Sequence, residues 1–187
     1  MPGSKDLLTT TSFHMEVSTV TVLETAKKMI DYSHGNLHDI NHFMKVYAYA
    51  KMIADGEQLD PDTQKLVEMT ALVHDIACPL CRVKYGNTNG KNQEKESAAL
   101  IAEFFKDSNL PQDTDRISFL VSHHHTLDQI DGIDYQIIIE ADYLVNADES
   151  HLSGHNIKNM YDKIFKTETG KFLLRSMYQN CLENETL

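Results

Sequence analysis

The chain is poor in three things, and each shortage excludes a class of protein. It has three cysteines in 187 residues. An odd, small number gives no disulfide framework and fits a reducing compartment, so a cytoplasmic location is expected. It is short of positive charge, with 17 Lys and Arg against 28 Asp and Glu, a formal net charge of −11. That balance argues against wrapping a nucleic-acid polymer, which needs a basic surface, but leaves room for a small phosphorylated ligand. It has no apolar run near the roughly 20 residues that span a membrane. Met1 to Ser12 lacks the apolar core of a signal peptide. There is no βαβ alternation, internal repeat or low-complexity tract. The length suits one domain of ordinary size.

What the chain does have is helical periodicity. Residues 1–17 read as a flexible N-terminal arm, and 18–187 as a single domain. Val22, Leu23, Ala26, Met29 and Ile30 make a first amphipathic stripe, closed by His34-Gly35-Asn36. A second helix is expected from Asp39, its cap, to Ala54, and a third from Asp60-Pro61. Residues 77–92 hold Pro79, Gly86, Asn87, Asn89 and Gly90 and read as a long connection, a kind often functional. Further helices are expected from Asn92 to Lys106, from Pro111 to the histidine run, over 134–147, from near Asn156, and from Thr167–Thr169 to about Leu182. The expected fold is an all-α, irregular bundle of about seven or eight helices.

Polar residues on apolar stripes are the informative exceptions. His42 shares a stripe with Val46, Tyr49 and Ile53. Asp142 shares one with Ile138, Ile139 and Val145, where a carboxylate is costly unless paired or bound to a metal. His74-Asp75 ends the apolar run 66–73. Two imidazoles and two carboxylates suit a divalent ion such as Mn, Fe, Co, Ni or Zn, with Mg less suited as histidines accumulate. His123-His124-His125 end another expected helix. Glu94 falls with Ala98, Ile101 and Phe105 on the face expected to be buried. Arg82, Lys84, Lys91 and Lys95 form a basic cluster in and just after the connection. Cys78-Pro79-Leu80-Cys81 is a CxxC with neither a βαβ context nor a second CxxC beside it.

The order His, then His-Asp, then Asp on successive helices resembles the HD superfamily of metal-dependent phosphohydrolases. The matching segments are Asp39-Ile40-Asn41-His42, Leu72-Val73-His74-Asp75-Ile76 and Glu140-Ala141-Asp142. His123-His124-His125-Thr126 and residues 164–170 look like a small bacterial branch of that superfamily. The resemblance implies that His42, His74, Asp75 and Asp142 ligate a divalent metal and that the reaction is hydrolysis of a phosphate ester. It further implies a possible second metal, with His123, His124 and Glu94 as its ligands. Two departures from the two-metal pattern stand out: Gln93-Glu94 where some families carry a further His, and Cys78 where some carry a Lys.

The expected chemistry is in-line attack of activated water on phosphorus. Asp75, Glu94, His123 and His124 are the candidate catalytic residues, with Glu94 or a histidine of the run handling the proton. Arg82, Lys84, Lys91 and Lys95 are the candidates to hold the phosphate of a small phosphorylated metabolite or nucleotide. Two rival readings are a di-iron oxygenase on a similar frame and a non-catalytic ligand-binding module.

Overall fold

The computed structural model describes residues 20–108 and 110–183. The expected N-terminal arm, 1–17, lies outside the described residues. Among the described residues ten helices follow one another: α1 (Val22–Tyr32), α2 (Leu37–Gly56), α3 (Pro61–Val73), α4 (Cys78–Tyr85), α5 (Gly90–Phe104), α6 (Pro111–Val121), α7 (Ile133–Glu149), α8 (Gly154–Lys163), α9 (Glu168–Met177) and α10 (Gln179–Glu183). No strand occurs among the described residues.

The helix starts follow capping chemistry. Thr21 and Glu24 form a reciprocal capping box on α1. Asp60 accepts from the Asp62 and Thr63 amides, with Pro61 in the first turn of α3. Helix α2 begins earlier than expected: Asn36, not Asp39, is its cap, accepting from the His38 and Asp39 amides. Asp39 is thereby freed for another partner.

The connection after Asp75 is mostly helix, a correction to its reading as a loop. Pro79 sits in the first turn of α4, where its missing N–H costs nothing. Gly86 then stops the helix with φ of 70°, a left-handed conformation that glycine adopts without strain. Only residues 86–89 separate α4 from α5, whose first residue is Gly90 rather than a residue after Asn92. The last expected helix is likewise split into α9 and α10.

Helix α2 packs along both α3 and α7, and α3 also meets α1, α6 and α7. Flanked on several sides, α3 is buried continuously from Val67 to Val73. Three apolar clusters result, two of them large. One joins α2, α3 and α7 to α8 and α9 through Val46, Ile53, Ala71, Ile138, Leu144, Ile157, Phe165 and Leu174. The other joins α1, α2, α3, α5 and α6 through Met29, Phe43, Leu72, Ile76, Ile101, Ile117 and Val121. His42, His74 and Asp142 are carried by the three central helices or by the residue capping one of them.

Candidate metal centre

Helical phasing brings the three first candidates together. His74, the C-cap of α3, is fully buried. Its Nε2 lies 3.2 Å from His42 Nε2 and 3.5 Å from Asp142 Oδ1. His42 Nε2 is 3.3 Å from Asp142 Oδ1. Asp75 lies beside this group: its Oδ2 is 3.5 Å from His42 Nε2 and 3.7 Å from His74 Nε2. Its other oxygen, Oδ1, is 3.6 Å from His124 Nε2. His42, His74 and Asp142 form one group of converging donors, and Asp75, His124 and His125 form a second.

Three of these histidines are held in the tautomer that a metal needs. His42 Nδ1 donates to Glu149 Oε2 at 2.8 Å. His74 Nδ1 donates to the Ala71 carbonyl and His124 Nδ1 to the Val121 carbonyl, each at 2.8 Å. An N–H committed to an acceptor on one side of the ring leaves a lone pair on Nε2. His124 Nε2 is buried with no hydrogen-bond partner. A bare nitrogen at that depth, aimed at a carboxylate, is costly without a cation to receive it. Asn146 Nδ2 donates to Asp142 Oδ1 at 2.8 Å, and Lys45 pairs with Glu149 at 2.9 Å. The donors therefore fit a divalent metal of nitrogen and oxygen preference.

Without an ion, the same carboxylates favour a proton on His42, which a metal must displace. Burial alone would lower the His42 pKa, but its hydrogen bond to Asp142 and the charges of Asp75 and Asp142 outweigh this and raise it to about 9. Burial works against both carboxylates being charged, yet the histidines around Asp75 and Asp142 hold them well below the usual carboxylate range. His125, though exposed on one side, goes the other way: loss of water where its ring packs into the site, then the neighbouring His124, push it down to about 4. It stays neutral and able to ligate.

A cavity of about 280 Å³ opens onto the site, lined among others by Asp39, Asp75, Cys78, Arg82, Gln93, His125, Asp142 and Glu149. Several expected residues are not brought to it. His123 stacks on Phe119 with ring centroids 4.4 Å apart, and its Nδ1 donates to the Phe119 carbonyl at 2.7 Å. The run turns after α6, so His124 and His125 face the donors and His123 faces away. Glu94 also misses the cavity: its Oε1 accepts from Thr126 Oγ1 at 2.9 Å. Ile101 and Phe105 are buried as expected, but the start of α5 buries Gln93 and Ser97 in place of Glu94 and Ala98. Gln93 lines the cavity instead, with its Oε1 buried and without a partner.

Of the four cations, only Arg82 lines the cavity, and it is already paired, with both Nη atoms on Asp39 at 2.7 and 2.5 Å. Lys84 is bound to Glu96 at 2.8 Å, Lys95 lies over the Tyr85 ring, and Lys91 is exposed. Cys78 and Cys81 are free thiols on α4. Burial, reinforced by the Asp75 charge, pushes the Cys78 thiol up, so it is not a thiolate nucleophile at neutral pH.

Sequence reasoning passed over Glu149, Asn146, Gln93 and the pairing role of Asp39. Asn146 and Glu149 lie four and seven residues after Asp142, on its helical face, which is a usable signal. The seat of His125 carried no such signal and is seen only in the fold: a side chain on Gly90 would strike its ring, so a glycine at the start of α5 leaves it room.

Residues 164–170 do not contribute to the cavity. They are held by buried Glu140, which accepts from the Lys166 and Thr167 amides at 2.6 and 3.0 Å and from the Thr167 hydroxyl. No helix among the described residues is long and apolar enough to cross a membrane.

Among known proteins, no curated sequence and no solved structure matched the chain. The family model described as "HD domain" matches residues 39–149, more than half of the chain. The span runs from Asp39 to Glu149 and takes in every residue of the two donor groups. With the all-helical fold and the converging His and Asp residues, this match establishes that the chain belongs to the HD domain family.

Proposed function

We propose that the protein is a metal-dependent phosphohydrolase acting on a small phosphorylated molecule, with two metal positions that share Asp75. One observation carries the reading. The two oxygens of Asp75 face different donor groups, Oδ2 the His42/His74 pair and Oδ1 the His124 ring. A divalent ion bound there supplies a Lewis acid for a phosphoryl oxygen and water acidified enough to react at neutral pH.

The chain's own residues do the rest. His42, His74 and Asp142 hold the first position, and His124 and His125 complete the second with Asp75. Glu149 and the Ala71 and Val121 carbonyls orient the imidazoles. Arg82, steadied by Asp39 at the cavity wall, meets a phosphoryl oxygen. Glu94, His123, Lys84, Lys91 and Lys95 carry no part of this reading, because none lines the cavity. The three free cysteines fit a reducing compartment, and we place the protein in the cytoplasm.

The test is a screen of phosphorylated metabolites with added Mn, Co, Ni, Zn or Mg. Phosphate release that disappears in the double variant His74→Ala with Asp75→Ala, together with loss of bound metal, is the expected result. Retention of both metal and activity in that variant overturns it. The four histidines of the two groups also keep a di-iron oxygenase in view as a second reading. Metal analysis separates the two, since two irons with no phosphate release favour the oxygenase.

A further inference from the structure

The centre has a second face, and it differs in chemistry from the first. A separate cavity of about 220 Å³ shares His125, Asp142 and Asn146 with the cavity described above. Its remaining lining is His124 and four largely apolar side chains, Leu127, Ile139, Tyr143 and Met160. The first cavity is lined by four carboxylates, from Asp39, Asp75, Asp142 and Glu149. Its one Arg or Lys is Arg82, held in place by Asp39. Glu149 is paired with Lys45 and His42, and Asp75 and Asp142 face the metal positions, so this polar cavity is the side that receives the phosphoryl group. The apolar cavity holds no charged group except those it shares with the centre, and so favours an uncharged organic group.

We infer that this apolar cavity is the subsite for the leaving group, and that the substrate is a phosphomonoester of an uncharged, largely apolar alcohol of about one ring in size. The inference rests on the phosphohydrolase reading for its reaction, though not for the binding of the apolar group. The two cavities meet at His125, Asp142 and Asn146, so a phosphoryl group at the centre directs its ester oxygen from the polar side to the apolar one. Their volumes taken together lie within the roughly 300–1,000 Å³ of small-molecule sites. Hydrolysis breaks the P–O bond to the alcohol, forms a P–O bond to water, and leaves the alcohol with one of the water's protons.

The test compares 2-phenylethyl phosphate with ethyl phosphate, whose leaving alcohols have similar acidity, so that the difference reports binding of the ring. A kcat/KM ratio of about tenfold or more is expected from the buried ring. That ratio is expected to fall towards one in Leu127→Asp, a change in the segment between α6 and α7, and in Met160→Glu on α8. A ratio near one in the unaltered protein, or a ratio that survives both substitutions, overturns the subsite. Faster turnover of the corresponding diphosphate ester overturns the substrate class.

A second measurement does not depend on turnover. Addition of 2-phenylethanol to the protein is expected to shift the methyl resonances of Leu127, Ile139 and Met160, and to do so less in Leu127→Asp. Unmoved methyls refute the subsite even if phosphate esters are hydrolysed. Shifted methyls with no ester hydrolysed refute the phosphohydrolase reading and leave the subsite standing.

Discussion

The two donor groups are made of the same residue types but are built differently. In the first, His42 and Asp142 project from the long helices α2 and α7 and His74 caps α3, and each is held by a partner of its own: Glu149, Asn146 or the Ala71 carbonyl. In the second, His124 and His125 lie in the turn after α6. His124 is held by the Val121 carbonyl, and His125 is seated against Gly90. The carboxylates attract a proton to His42 in the first group and to His124 in the second, whereas His125 resists one. Packing and hydrogen bonding fix His42, His74, Asp142 and His124, while His125 lies on the exposed side of the turn after α6.

Removing what the groups share gives the largest effect. Asp75→Ala is expected to lose metal from both positions and to bring phosphate release to background. Metal analysis alongside the activity assay checks this, and one ion retained at full occupancy would show that the groups are independent.

Next comes pH. Because the His42 pKa is raised to about 9, the metal-free protein carries a proton there at neutral pH. A metal must displace that proton, so affinity at the first position is expected to fall about tenfold per pH unit as pH drops below 9. His125 is neutral over the same range, but at His124 the hydrogen bond and charge of Asp75 outweigh burial and raise its pKa, so the second position loses affinity towards low pH as well. Calorimetric titration from pH 6.5 to 8.5 checks this, and an affinity that stays constant over that range at either position would overturn it.

Glu149→Gln tests the support rather than the ligand. The amide is a weaker acceptor for His42 Nδ1–H, and loss of such an outer partner costs about 10- to 100-fold in metal affinity. The effect is expected at the first position alone. An equal loss at both would mean that the groups are coupled more tightly than their separate supports suggest.

The smallest effect belongs to Glu94→Ala. Its bond to Thr126 contributes about 1 kcal/mol, so a small fall in thermal midpoint is expected with metal content unchanged. Loss of metal in this variant would restore Glu94 to the site and show that the turn after α6 rearranges when it is occupied.

These comparisons also mark how far the sequence could be read. Within a long helix the phase is fixed by many apolar residues, so the stripes of α2 and α7 pointed His42 and Asp142 inward correctly. At helix ends the phase rests on few residues. Consecutive positions on a helix are about 100° apart, and that rotation separates Gln93 from Glu94. At the histidine run, the turn ending α6 separates His123 from His124 and His125. The punctuation around Pro79 and Gly86 was visible, but Pro in a first turn and Gly at a helix end fit a short helix as well as a loop.

The sequence by itself determined the all-α class, the buried stripes and the His, His-Asp, Asp order, because periodicity and the cost of burying a carboxylate act locally along the chain. Tertiary structure alone decided which neighbour of each pair faces the centre, that Arg82 is tied to Asp39 across 43 residues, and that an apolar cavity adjoins the donors. Those outcomes depend on how helices distant in sequence are rotated against one another, and no local pattern carries that rotation.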